Sequence, residues 1–209
     1  MMSRINGYVK AFKRNRQGVA AVEFGLIAPI ALLLLLGTIE LGRALVTARR
    51  FYLVTSVISD LVSREHEMPD PPAAANPAAE MAAIASAALT MWKPYDPTTL
   101  QFQVLQIRDA AATATKIAPG TIYVDWSYPM FGAPAVTQCS AYPGLSATLI
   151  PQGQALVIVK GTYTYKPLFT VPLSFATAAN WKWAATSSHS PRQFGCVDYN
   201  QTNCVSVCE

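Results

Sequence analysis

The side chains of this sequence that could carry chemistry are four cysteines, two histidines, three of the four tryptophans and two glutamates set in apolar surroundings. The cysteines are Cys139, Cys196, Cys204 and Cys208, three of them within the last fourteen residues. An even count on an oxidising side of a membrane points to two disulfides that pin a C-terminal tail, and four cysteines allow three pairings. Zinc is the rival ligand. Cys204 and Cys208 with Cys196 lack a second close pair, and the nearest histidine is His189, so no metal is expected. His66 stands in Arg64-Glu65-His66-Glu67, a charged helix end rather than the H-E-x-x-H zinc pattern. His189 lies in the polar run Ser187-Ser188-His189-Ser190. A Ser/His/Asp site could be drawn only by choosing partners freely, and the eleven glycines form no phosphate loop. Trp126, Trp181 and Trp183 could make a sugar platform, but aromatic residues on strand faces are more often core. Neither a catalytic site nor a cofactor is expected.

The glutamates are more informative. Residues 24–39 (FGLIAPIALLLLLGTI) carry no charge. Sixteen residues rise about 24 Å as a helix, whereas a bilayer core of about 30 Å asks for about 20. Adding 19–22 in front and Leu41 behind gives a comfortable span, with Glu23 inside it and Glu40 at its far end. Glu40 has Arg43 three residues on and suits a membrane interface. Glu23 has no basic residue in the following turns. An ionisable group inside an apolar span is a functional hypothesis.

Before the span stand Arg4, Lys10, Lys13, Arg14 and Arg16, with no acid to offset them. This bias predicts a cytoplasmic N-terminus and a single-pass chain whose remainder lies outside the inner membrane. A signal peptide would need a small-x-small cleavage site after the run, which Gly37-Thr38-Ile39 and Gly42-Arg43-Ala44 fit poorly. Net charge is +4, but residues 1–50 hold +6 and residues 51–209 hold −2. The basic surplus belongs to the leader, so no nucleic-acid partner is expected. Charged residues are 13% and hydrophobic residues 52% of the 209, which argues against a disordered chain and points towards a membrane protein.

At the junction of leader and span the sequence reads Arg16-Gln17-Gly18-Val19-Ala20-Ala21-Val22-Glu23-Phe24, and the span ends in Ile39-Glu40-Leu41-Gly42-Arg43-Ala44-Leu45. This segment resembles the TadE-like minor pseudopilins of the Flp/Tad (tight adherence) pilus, a segment that TadF-like and TadG-like proteins share. The resemblance implies a prepilin-peptidase site, with cleavage after Gly18 making Val19 the first mature residue, Glu23 the fifth and Phe24 the sixth. Gly18 would present minimal bulk at the scissile bond. Glu23 would neutralise the freed α-amine of a neighbouring subunit, since two opposite charges in low dielectric are each costly alone. The partners implied are the inner membrane, the peptidase, other pilins or pseudopilins and the pilus assembly platform, with possible incorporation into the filament. An uncleaved membrane-anchored periplasmic scaffold of the same machine is the alternative.

The elements that position these residues follow from periodicity. Phe51, Val54, Ile58 and Leu61 continue a helical stripe, with an i,i+4 pair of Asp60 and Arg64, to about Glu67 and the prolines at 69, 71 and 72. One helix of roughly 45 residues is expected, with Pro29 and Gly42 as candidate bends. After the 69–77 linker, Asn76 and Pro77 start a second helix to Trp92 with Met81, Ile84, Ala88 and Met91 on one face. Strands are expected over 100–110, over 121–128 with Ile122, Val124, Trp126 and Tyr128 sharing a face, over 154–165 and over 180–188; residues 129–151 read as a long loop. The fold class expected is α+β: a long transmembrane helix continuing as an amphipathic stalk, then a small pilin-like helix and antiparallel sheet. The organisation expected is a basic cytoplasmic leader (1–18), transmembrane helix (19–45), stalk (46–68), linker (69–77), periplasmic α+β domain (78–192) and Cys-rich tail (193–209).

Overall fold

The computed structural model describes residues 17–65, 67–68, 77–112, 114–145, 150, 154–168, 181–192, 195–199, 204–206 and 208. The basic leader with Arg4, Lys10, Lys13, Arg14 and Arg16, together with His66 and linker residues 69–76, lies outside the described residues.

Helix α1, Gln17–Arg64, is 48 residues long. Pro29 cannot donate to the Gly25 carbonyl, yet the helix continues through it and through Gly42. Residues 18–39 are exposed apart from half-buried Ala28 and Leu36. At Glu40 the environment changes. Glu40, Ala44, Thr47, Phe51, Val54, Ile58 and Val62 are buried, a spacing of three and four that puts them on one face. The buried threonines of this helix are satisfied within it. Thr47 Oγ1 donates to the Arg43 carbonyl and Thr55 Oγ1 to the Phe51 carbonyl, each at 2.8 Å. The stretch expected as a stalk therefore packs its apolar face on the rest of the chain.

Helix α2, Pro77–Trp92, lies against α1 and buries Met81, Ile84, Ala88 and Trp92, while Met91 is only half-buried. Strands β2 (Gln101–Asp109), β3 (Ile122–Met130), β4 (Ala155–Tyr165) and β5 (Trp181–His189) form one antiparallel sheet in the order β3-β2-β4-β5. The fold is α+β, a long apolar helix followed by a small helix and a four-stranded antiparallel sheet. A two-residue parallel pairing of β1 (Glu67–Met68) with β6 (Asp198–Tyr199) adds a second, small sheet that periodicity could not reveal.

The main core lies between the helices and one sheet face. Phe51 stacks on Phe102 with centroids 6.1 Å apart and meets Trp92 edge-on at 6.3 Å. Gly161 makes this approach possible: a Cβ there would sit 2.7 Å from the Phe102 ring and 3.0 Å from Phe51. The opposite sheet face buries Leu105, Ile107, Ile122, Val124 and Ile158 beneath Val136, Tyr142 and Leu145. The long loop is thus the cover of a second core. Strand β3 runs through Met130, so the loop starts two residues later than expected, at Phe131, and residues 146–149 and 151–153 lie outside the described residues.

The expected alternation of β3 needs correction. Gln106 pairs with Trp126, but Ile107 pairs with Val124, so Asp125 is an extra residue in β3. Such a bulge reverses which face successive side chains occupy. Trp126 and Tyr128 belong to the helix-side core, whereas Ile122 and Val124 belong to the opposite one.

Asp125 anchors the end of the chain. Its carboxylate accepts from Gln106 Nε2 at 2.8 Å and from Ser206 Oγ at 3.0 Å, and pairs with Arg108 Nε at 2.8 Å. Gln106 Oε1 in turn accepts the Val197 N–H at 2.8 Å, and Trp126 Nε1 donates to the Val197 carbonyl at 3.1 Å. Cys139 is bonded to Cys208 and Cys196 to Cys204, with Cα–Cα distances of 5.3 and 6.1 Å. The first bridge ties the tail to the loop over the second core; the second closes a turn within the tail.

Candidate functional site

Two places on α1 stand out. The first is its beginning. Gly18, Val19, Glu23 and Phe24 are all exposed, Phe24 at 73%. Val19 and Glu23 are one turn apart and share a helix face. A Cβ built on Gly18 meets nothing within 4 Å, so packing within the chain does not require glycine there. Among the described residues none forms an ion pair with Glu23. No residue in the most apolar 18-residue stretch of this helix is buried, and the helix is long and apolar enough to cross a membrane. The free half of α1 thus presents one carboxylate on an apolar cylinder whose surface the domain leaves uncovered.

The second place is Glu40, where the free half ends. Its side chain is drawn into the domain, with the residue only 8% exposed. Glu40 Oε1 accepts the Tyr165 hydroxyl at 2.5 Å and the Leu168 N–H at 3.3 Å, and Arg43 Nη1 stands 3.5 Å from Oε2. The expected partner Arg43 is present, but the stronger ties come from the end of β4. Burial, and then the hydrogen bond to Glu40, push the Tyr165 hydroxyl up to about 12. Tyr165 also stacks on Trp181 and Trp183, at 6.0 and 5.2 Å between centroids. Both tryptophans therefore lie on the helix-side face of the sheet, and Trp126 is core. No signal in a single sequence connects Glu40 with a tyrosine 125 positions away, so sequence reasoning missed this contact.

Residues 18–51 match the TadE-like protein family. That segment is about a sixth of the chain and contains both places described above. No curated protein and no solved structure matches the chain. The TadE-like family is a structural and assembly family associated with Flp/Tad pilus systems. The matched segment ends at Phe51, so it takes in the apolar cylinder, the Glu40 junction and the first aromatic of the core, and leaves the sheet outside.

Two further polar contacts tie α1 to β5 and the segment after it. Asp60 joins Arg64 and Arg192, each at 2.5 Å. The Arg64 hydrogen bond, with the charge of Arg192, holds the Asp60 carboxyl below its usual range. His189 Nδ1 lies 2.9 Å from Ser59 Oγ, joining β5 to α1. Among the described residues no cluster of three His, Cys, Asp or Glu side chains is arranged to hold a metal.

Proposed function

We propose that this chain is a pseudopilin-like membrane protein that takes part in assembling or priming a Flp/Tad-type adhesion pilus, processed by a prepilin peptidase between Gly18 and Val19. In this reading residues 1–18 are a cytoplasmic leader, the free half of α1 crosses the inner membrane, and the domain with its two disulfides lies in the periplasm. Glu23 neutralises the α-amine freed on Val19 of a neighbouring subunit. The partners are the peptidase, other pilins or pseudopilins and the assembly platform.

The observation that carries the reading is the free half of α1. An uncovered apolar helix with a single carboxylate one turn past an unconstrained glycine has no explanation in the stability of this chain alone. The exposed apolar surface also continues above Glu40 as Leu41, Leu45, Val46, Tyr52 and Leu53, on positions the sheet does not cover. A helix of another subunit would cover such a stripe.

The test is expression with and without the cognate peptidase, followed by N-terminal sequencing. A new terminus at Val19, abolished by Gly18→Arg, is expected. An intact Met1 in both cultures sinks processing and leaves an uncleaved scaffold of the same machine. Glu23→Ala should be cleaved normally yet fail to support piliation.

A further inference from the structure

The contact between Glu40 and the end of β4 fixes the height of the domain above the membrane. From Val19 to Glu40 the helix rises about 32 Å, close to the roughly 30 Å of a bilayer core. If the free half of α1 is the span, as proposed above, Glu40 lies at its outer boundary. Leu168 is held there by its own backbone N–H, 3.3 Å from the Glu40 carboxylate, and its side chain is 66% exposed. Trp181, opposite Tyr165 in the sheet and stacked on it, is 40% exposed. Lys166 and Lys182, the neighbours of these two positions, are exposed as well. An exposed leucine and an exposed tryptophan, flanked by lysines and set at the height of the boundary, have the chemistry of an interfacial anchor. The indole occupies the headgroup level, the aliphatic side chain reaches the acyl boundary and the ammonium groups meet phosphates.

We propose that this end of the sheet, Leu168 and Trp181 with Lys166 and Lys182, rests on the outer surface of the bilayer that α1 crosses, with anionic phospholipid as its ligand. The domain is then held at two points rather than swinging on a single helix. Its orientation is set by the Glu40 contact. The proposal depends on α1 being inserted, and the experiment reads the two separately.

The full chain is reconstituted in vesicles of phosphatidylcholine and phosphatidylglycerol, with part of the phosphatidylcholine brominated on its acyl chains. Flotation reports insertion, and tryptophan quenching by bromine reports contact. Wild-type protein should float and be quenched. Trp181→Phe keeps a ring to stack on Tyr165; it should float equally and lose the quenching, with buried Trp92 and Trp126 and half-buried Trp183 remaining as reporters. Lys166→Gln with Lys182→Gln should weaken quenching in vesicles containing phosphatidylglycerol and leave it unchanged in pure phosphatidylcholine. Failure to float overturns the membrane span and this proposal together. Flotation without quenching, or quenching that survives Trp181→Phe, overturns the anchor alone. Shielding of Trp181 from aqueous iodide that grows with protein density, without bromine quenching, assigns the patch to a second copy of the chain and also overturns it. Quenching indifferent to phosphatidylglycerol overturns the choice of an anionic headgroup.

Discussion

Replacing Tyr165 by Phe removes one oxygen and tests the junction of helix and domain. The hydroxyl is buried with its residue 3% exposed, and donates to Glu40 Oε1 at 2.5 Å. A hydrogen bond to a charged group contributes about 1.5–3 kcal/mol. Tyr165 titrates at about 12 instead of 10 because burial and then the Glu40 bond oppose its ionisation. Two pH units correspond to about 3 kcal/mol of linkage. The raised value fixes the sign: below pH 10 both folded and unfolded phenols are protonated and the contribution is complete. Between pH 10 and 12 the unfolded chain ionises first and stability falls. Tyr165→Phe should therefore cost about 2 kcal/mol at pH 7, a fall in Tm of about 4–8 °C for a chain of this size, and should flatten the alkaline decline. Some decline should remain, since burial also raises Tyr163 and Tyr199. The assay is thermal unfolding of the full chain in detergent, followed by circular dichroism from pH 7 to 11. A double-mutant cycle with Glu40→Gln isolates the pair. A Tyr165→Phe variant as stable as the wild type, with an unchanged slope above pH 10, would refute the assignment of this bond as the lock.

Two further perturbations address the domain. Gly161→Ala places a methyl group against the Phe102 and Phe51 rings, which are packed on both sides, so it should lower stability by about 1–3 kcal/mol in the same unfolding assay. Cys139→Ser with Cys208→Ser opens a loop closed over 69 residues and should cost up to about 4 kcal/mol, read as a lower urea midpoint with an accelerated amide exchange at Val197 and Ser206.

The parts of this molecule governed by local pattern were legible in its sequence. The uncharged run marked the free half of α1, and the three-and-four spacing of Phe51, Val54 and Ile58 marked the buried face that follows. Composition and alternation placed all four long strands, and their order after two helices gave the antiparallel α+β class. The arrangement that hid was long-range. A bulge adds one residue with no signature of its own, and Asp125 looks like any polar position of an alternating strand; its network with Gln106, Arg108 and Ser206 exists only once the tail returns to the sheet. The loop over 131–145 looked uncommitted because Val136, Tyr142 and Leu145 are too sparse to show a period, yet together they roof the second core. Glu40 was legible as an acid at the end of an apolar run, but its neighbours in sequence named only Arg43. The hydroxyl that holds it belongs to the far end of β4.

The division of α1 at Glu40 has a consequence for assembly. The core of the domain draws on this helix only from Glu40 onward, so residues 18–39 contribute apolar surface and no contacts on which the sheet depends. Whether lipid or a bundle of other helices covers that surface, the internal packing of the domain is the same. A subunit that left a bilayer for a filament, as proposed above, would need this property, because both environments must be served by one folded state. It also needs a firm boundary, or movement of the span would pull on the core. A carboxylate placed at the first buried turn and held by Tyr165 and Leu168 supplies that boundary. In the proposed assembly the first carboxylate, Glu23, would pair with another molecule, whereas the second, Glu40, has its partners within its own chain.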